Sequence, residues 1–474
     1  MGHSLSHYHR FWYYLALPLL FLISERAPLA GDWSIVPSAY VAGSHNNNIF
    51  LAPSGKEQND NILQFNPAIR INGKGRRGNA SLYYEMQNIF YAKNTKFNDT
   101  FHILNARANA ELVPELFFIE TTLGRAQQII SRNTGVPLDN ISISKNRTNV
   151  DVFSVSPYIK TNIGNELTTE IRYSSAWTRY DQGVLANIRN QTVYADLRND
   201  LTGTRGQWAI IYSNRKYEPA IGAKRSYERA YVNLDFSVTG KIGLLASVGY
   251  ENNGYNQGTT TRFEKSSTWN AGLRWSPERN NSISVRVGER AFGKTSSLDF
   301  SYRTQRWTWG AGYHEEFRND LGILVSNQQS NRSDTSIILP GDATPTTETY
   351  LSRRFDFSAR RSYGKTDLNF SVYDRKREFQ QSGQRERISG GGIKLDWRFQ
   401  KRSTFSLGLN KEKQKLRGGF NSYDLIIGTM GLIRRISRKT DIKLNFRYYQ
   451  RNSNNFLQSD YKQNQVTLSL RAIF

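Results

Sequence analysis

Cysteine is missing from all 474 residues of the chain. Its absence excludes disulfide bonds, thiolate-bound zinc, iron–sulfur ligation and thiol-based catalysis. A chain without thiols also suits export through an oxidising periplasm, where stray thiols would be oxidised. Any stabilising or catalytic device must therefore be sought among other residue types.

Long apolar runs are also scarce. The longest is Phe11–Ile23, which follows Arg10 and precedes small residues ending at Ala30. Because a transmembrane helix needs about 20 apolar residues, this run is more typical of the h-region of a signal peptide. We predict a signal peptide over residues 1–30 with cleavage near Ala30, and an uncleaved anchor is the alternative. No other segment approaches ~18 apolar residues, so a helical membrane domain is excluded.

The chain has few of the aliphatic residues that fill a large globular core. Hydrophobic residues make up 38% of the chain, and the mean hydropathy is −0.62. Aromatic residues still reach 13%, which argues against a disordered chain. Strands with one apolar and one polar face, flanked by aromatic girdles, give this balance.

The carboxy terminus shows a strict alternation. Apolar residues occupy every second position back from the end, and the residues between them are mostly polar, as in a strand with one apolar face. A terminal aromatic residue on such a strand resembles the signal that the barrel-assembly machinery reads in bacterial outer-membrane proteins. The predicted assembly signal comprises Val466, Leu468, Leu470, Ala472 and Phe474.

The same alternation recurs along the chain from about residue 33, for example over 232–238, 393–399 and 442–448. Short turns and long polar connections alternate between these runs, which is the layout of an outer-membrane barrel rather than a sandwich. We predict an all-β fold, a transmembrane antiparallel up-and-down outer-membrane β-barrel of about 22 strands (20–24), formed by the single domain 31–474. The predicted location is the outer membrane of a Gram-negative bacterium, in contact with its lipid.

The formal net charge of +24 calls for an explanation. Neither a lysine-rich tail nor a recognition-helix pattern is present, so nucleic acid is not a predicted partner. If the apolar set faces lipid, the interleaved set lines the lumen, and its bases outnumber its acids. They could pair in cross-strand ladders, or their excess could favour anions. These predicted lumen bases are Arg70, Arg107, Lys160, Arg172, Arg274, Arg286, Arg303, Arg354, Arg360, Lys394, Arg398, Lys443, Arg447 and Arg471.

Residues suited to catalysis or metal binding are sparse. Beyond residue 30 the histidines are His45, His102 and His314, and none has the spacing of a nucleophile–base pair. Gly390–Gly392 lies in a strand run without a following helix, which indicates a kink rather than a phosphate cradle. We predict no enzyme activity, no cofactor, no metal and no catalytic residue.

Several short motifs carry a family resemblance. Trp33–Ser38, Asn46–Ile49, Phe65–Ile69, Leu82–Tyr84 and Ser156–Tyr158 resemble the PEP-CTERM system-associated outer-membrane proteins. These are predicted barrels associated with exosortase and exopolysaccharide loci, so the resemblance implies export or surface handling of extracellular polysaccharide. We predict an outer-membrane pore for export or passage of exopolysaccharide or other solutes, anionic solutes among them, with exopolysaccharide and periplasmic export proteins as candidate partners. The alternative is a plugged structural or docking barrel that anchors an envelope assembly without transport.

Overall fold

The described residues form one closed sheet of 22 strands. The computed structural model describes residues 31–474 except 132–134, 182–184, 200–204, 223, 254–264, 319–349, 381, 417–421 and 455–459. Each strand pairs antiparallel with the next along the chain, and β1 pairs with β22 to close the barrel. The strands are β1 Gly31–Asn46, β2 Asp60–Gly75, β3 Gly78–Tyr91, β4 Asp99–Val113, β5 Phe117–Ile129, β6 Arg147–Ile163, β7 Leu167–Tyr180, β8 Ile188–Asn199, β9 Gly206–Pro219, β10 Arg225–Ser237, β11 Ile242–Asn252, β12 Lys265–Glu278, β13 Asn281–Arg290, β14 Gly293–Arg303, β15 Trp307–Arg318, β16 Tyr350–Tyr363, β17 Thr366–Phe379, β18 Arg385–Gln400, β19 Ser403–Leu416, β20 Tyr423–Arg435, β21 Thr440–Ser453 and β22 Tyr461–Ile473.

The alternating apolar and polar residues of each strand lie on the outer and the inner face of the barrel, respectively. On β22 the apolar Leu468 is 57% exposed, whereas the polar Gln463 is 2% exposed. Because side chains alternate strictly between the faces of a sheet, this contrast fixes the orientation of every other residue on the strand. The cross-strand register carries the assignment around the barrel, since Leu470 lies opposite Val41 of β1 and Ile442 of β21. The predicted barrel fold is confirmed.

The two ends of the barrel differ. Short connections such as 76–77, 279–280 and 364–365 lie at the end that carries the start of β1 and the end of β22, and the described connections 47–59 and 92–98 lie at the other. Short turns face the periplasm in barrels of this kind, which places the long connections at the cell surface. The protein is an outer-membrane barrel. Within the described residues, no helix is long and apolar enough to cross a membrane.

One connection differs from its prediction. The polar stretch 289–297 predicts a long loop, but β13 and β14 are joined by residues 291–292 alone. Gly293 takes a φ of +103°, a conformation that favours glycine, and this permits the tight turn. Charged residues on either side of the turn continue the strands instead of ending them. The predicted signal peptide over 1–30 lies outside the described residues.

Candidate functional site in the lumen

The predicted lumen bases all lie at inward strand positions. The register shows this: Arg107 lies opposite Ser81 and Thr122, and Arg354 lies opposite His314 and Arg375, all on the face that carries the buried polar side chains. The positions at this face are Arg70, Arg107, Lys160, Arg172, Arg274, Arg286, Arg303, Arg354, Arg360, Lys394, Arg398, Lys443, Arg447 and Arg471. Their role as an anion path stays a prediction.

Many lumen bases form ion pairs with carboxylates of the same face. Glu120 accepts from two of them, with Oε1 3.3 Å from Arg107 Nε and Oε2 3.2 Å from Arg172 Nη1. Arg172 also lies 2.7 Å from Glu170 Oε1, and its guanidinium is 3.8 Å from the centre of the Tyr158 ring. Such ladders fix the side chains against the wall. The paired lumen bases are Arg107, Arg172, Arg274, Arg354, Arg360, Lys394, Arg398 and Arg447.

Four other lumen bases have a different environment. Among the described residues, no carboxylate oxygen lies within 4.0 Å of the charged nitrogens of Lys160, Arg286, Arg303 or Arg471. These four lie on β6, β13, β14 and β22, and are therefore spread around the wall. A base without a carboxylate partner keeps its capacity to attract an anion that enters the lumen. We call them the open bases.

The connection between β5 and β6 folds into the barrel. Residues 136–142 of this connection are buried. We call the described residues of the connection, 130–131 and 135–146, the inward segment. Asp139 Oδ2 lies 3.0 Å from Nη1 of Arg447 on β21, and the two side chains are only 2% and 8% exposed. Around the closed barrel β21 lies six strands from β5, through β1 and β22, so the segment spans part of the lumen to reach it.

Further hydrogen bonds attach the inward segment to other strands. On β3, the Tyr91 hydroxyl donates to the Ile141 carbonyl at 2.8 Å, and Gln87 accepts from the Asn140 side chain. The Tyr449 hydroxyl of β21 donates to the Val136 carbonyl at 3.1 Å. The segment is therefore held at several points, so that it forms a fixed constriction.

The connection 47–59 between β1 and β2, which we call the first loop, supports the inward segment. Ile143 N donates to Ile49 O at 2.7 Å, joining the two backbones. Gln463 Nε2 of β22 lies 2.9 Å from both Asn48 O and Ser142 Oγ, so one amide spans both connections. Two buried apolar clusters fill the space between them and the wall: Ile49, Ile62, Ile89, Tyr91 and Ile141, and Leu51, Leu138, Tyr423, Leu425, Ile427, Tyr449 and Tyr461.

The inward segment was not predicted, since the stretch 127–149 reads as one more long polar connection. A signal was present in the sequence. Val136, Leu138, Ile141 and Ile143 are apolar residues that a surface loop would have little reason to carry. Their burial against inward tyrosines explains both the apolar residues of the loop and the aromatic residues of the polar face.

The histidines of the sequence do not come together. His45 lies on β1, bonded to Asn61, His102 lies on β4 beside the Tyr84 hydroxyl, and His314 lies on β15 with Nε2 3.2 Å from Asp299 Oδ1. Within the part of the chain that the structure describes, no group of three or more His, Asp or Glu could hold a metal ion.

The predicted assembly signal lies on the outer face of β22 at the periplasmic end. Val466, Leu468 and Leu470 are exposed toward lipid, and Ala472 and Phe474 continue the same outward parity. The Phe474 amide donates to the Pro37 carbonyl at 2.9 Å, and its ring is 65% exposed. Its accessibility agrees with a role in assembly, which stays a prediction.

Deletion of Phe474 should reduce the amount of assembled barrel by at least about fivefold, because the aromatic ring that protrudes at the periplasmic end would be lost. The heat-dependent mobility of the barrel in outer-membrane fractions measures assembly. Tyr363→Ala is the matched control, since Tyr363 is also an exposed aromatic residue at the end of a strand. Equal assembly of the deletion variant and the wild type would show that Phe474 carries no signal.

Comparison with known proteins finds barrels of similar fold. No protein-family model and no curated protein matches the sequence. In fold, the chain is similar to the FrpB iron transporter from Neisseria meningitidis, with a TM-score of 0.53 and 10% identity over 94% of this chain and 82% of that one. It is also similar to the siderophore receptor PirA from Pseudomonas aeruginosa, with a TM-score of 0.51 and 9% identity over 93% of this chain and 80% of that one. A third similar structure is a variant of the ferric enterobactin receptor PfeA of Pseudomonas aeruginosa in complex with enterobactin. Its TM-score is 0.53, with 9% identity over 92% of this chain and 81% of that one.

These neighbours correct the functional prediction. The barrel is similar to transporters and receptors for iron and siderophores, so the prediction of an exopolysaccharide export pore is wrong. The alternative of a docking barrel without transport is wrong on the same finding. Basic lumen positions limit the sign of a solute's charge, and loose aromatic motifs indicate membrane placement, but neither identifies the cargo or its direction of travel. The resemblance to the PEP-CTERM system-associated family stays a prediction.

Proposed function

We propose that this protein is an outer-membrane receptor for uptake of a small anionic metal chelate of the ferric siderophore class. The observation that carries the proposal is the combination of the open bases with a lumen narrowed by the inward segment. The similar solved proteins are an iron transporter and siderophore receptors, which supports this cargo class. In this proposal the barrel binds and passes the chelate without covalent chemistry.

Charge favours an anionic chelate. Catecholate groups bind ferric iron as anions, so a ferric catecholate complex carries net negative charge. Lys160, Arg286, Arg303 and Arg471 present positive charge from four strands around the wall. In the confined lumen such charges are screened less than at a free surface, so they raise the local concentration of an anion.

The inward segment favours a compact ligand over a polymer. It is fixed to β3, β21 and β22 by hydrogen bonds and by the buried pair of Asp139 with Arg447. A long chain would have to thread past this fixed obstruction, whereas a compact chelate can use the part of the lumen that the segment leaves.

The proposal predicts uptake of ferric enterobactin by a Gram-negative host that lacks its own siderophore receptors and expresses this protein. Radiolabelled iron inside the cells should exceed that of the empty-vector strain by at least about tenfold. A cationic ferric hydroxamate is the ligand control, and it should enter more slowly because the open bases repel it. Uptake equal to the empty vector for every anionic ferric chelate tried would refute the function, and equal uptake of the two chelates would refute the role of charge.

A further inference from the structure

A second basic feature lies on the opposite, lipid-facing side of the wall. Lys376 of β17, Arg387 of β18 and Lys415 of β19 are direct cross-strand neighbours, because Lys376 lies opposite Arg387 and Arg387 lies opposite Lys415. All three side chains are exposed. We call these three residues the basic row. Their positions share the parity of the exposed apolar residues Val372, Ile393 and Leu409, so the row faces outward.

The height of the basic row places it at the edge of the membrane. All three residues lie in the parts of β17, β18 and β19 nearest the cell surface. On β19, the outward positions Leu407 and Leu409 are apolar, and the next outward position is Lys411, followed by Lys413 and Lys415. The charged surface thus begins where the apolar surface ends, at the level of the outer-leaflet headgroups.

Among the described residues, carboxylates of the protein compensate only the middle base of the row, Arg387. Arg387 Nε lies 2.7 Å from Asp374 Oδ1, and Lys413 Nζ lies 3.4 Å from Asp424 Oδ1. Within the described residues, no carboxylate oxygen lies within 4.0 Å of the ammonium groups of Lys376 or Lys415. Like charges directly opposite each other destabilise a sheet, so an external anion that bridges the three bases would relieve the repulsion.

We propose that the basic row is a binding site for the phosphorylated headgroup of an outer-leaflet glycolipid of the lipid A type. Its phosphate oxygens would accept charge-assisted hydrogen bonds from Lys376, Arg387 and Lys415. Its acyl chains would lie along the outward apolar residues nearer the membrane centre on the same strands, Ile393, Leu407 and Leu409. A lipid of this type carries phosphate groups above its acyl chains. This is also the order of the charged and the apolar outward positions along β19.

The chain offers a matched control on the other side of the barrel. Lys216 of β9 is also an exposed outward base near the cell surface. Its cross-strand neighbours are Gln191 and Ser226, which are uncharged. Lys216→Gln therefore removes one base at similar height without touching a row of like charges.

Titration of fluorescent lipid A into the detergent-purified full-length barrel tests the site. Each base near an anionic lipid surface changes affinity by about fivefold, so the triple variant Lys376→Gln, Arg387→Gln and Lys415→Gln should bind on the order of 100-fold more weakly. Lys216→Gln should bind as the wild type does. Enzymatically dephosphorylated lipid A should bind the wild type as weakly as intact lipid A binds the triple variant, because the phosphates are the recognised groups.

Three outcomes would overturn the proposal: unchanged affinity of the triple variant, equal binding of dephosphorylated lipid A, or full competition by phosphatidylglycerol at equal concentration. Heat-dependent mobility in gels checks that each variant is folded. If the triple variant does not fold, the single variant Lys415→Gln replaces it in the titration. Its affinity for lipid A should fall about fivefold, whereas Lys415→Arg should keep the wild-type affinity. An unchanged affinity of Lys415→Gln would then overturn the site.

Discussion

Arg447→Ala should at least double the single-channel conductance of the barrel in planar bilayers, because it releases the inward segment from the wall. The substitution leaves the Asp139 carboxylate buried without its guanidinium partner, 3.0 Å away in the wild type. Removing one partner of a buried ion pair costs about 3–5 kcal/mol. A loop held by a few hydrogen bonds and two apolar clusters cannot easily absorb such a cost, so Asp139 should move to water and take the segment with it.

Two further variants separate this effect from a general loss of stability. Arg354→Ala removes a base from a half-exposed pair with Asp356 on the same face, and such a pair contributes only about 0–1 kcal/mol. Its conductance should match the wild type. The double variant Asp139→Asn and Arg447→Gln replaces the ion pair by two neutral amides that can hydrogen-bond. Its conductance should be close to that of the wild type. A wild-type conductance for Arg447→Ala, with the segment still protected from protease, would contradict the role of the pair.

Neutralising the four open bases should abolish anion preference and reduce uptake of ferric enterobactin at least about tenfold. A unit charge about 8 Å from a permeant anion contributes roughly 0.5–2 kcal/mol, depending on the effective dielectric constant. The combined variant Lys160→Gln, Arg286→Gln, Arg303→Gln and Arg471→Gln removes four such contributions. The reversal potential under a salt gradient measures selectivity, and it should shift from the anion side toward zero.

The control for the open bases is Arg434→Gln. Arg434 is an exposed base on β20, and its outward parity keeps it away from the lumen. It should leave both the reversal potential and the uptake unchanged. If the combined variant keeps the anion preference of the wild type, the selectivity arises elsewhere, and the paired bases such as Arg172 become the candidates. Loss of anion preference with unchanged uptake would show that the cargo does not depend on the open bases.

The barrel could be predicted from the sequence because the alternation of apolar and polar residues is a local pattern within each strand. An alternation such as Leu468, Ser469 and Leu470 states which face each residue takes, and no distant contact is needed to interpret it. The inward placement of the basic residues followed from the same parity. The tight turn at 291–292 was missed because its sequence resembles a polar loop, and the difference rests on the conformation of Gly293.

The inward segment and the cargo could not be predicted in the same way. Asp139 meets Arg447 across 308 positions of sequence, and Val136 meets Tyr461 across 325. Periodicity within one strand carries no information about such contacts. The charge of the lumen limits the sign of a solute, but not its identity or its direction of travel, which explains the wrong prediction of polymer export.

The contact of Gln463 with both Asn48 and Ser142 has a consequence for the order of folding. Gln463 lies on the last strand, Asn48 follows the first, and Ser142 belongs to the connection that crosses between them. Contacts of such long range form late, because the chain ends must first be brought together. We therefore expect the segment to complete its contacts only once β22 has met β1. Once docked, it fastens the seam from within, so that reopening the barrel would require unpacking the same residues that narrow it.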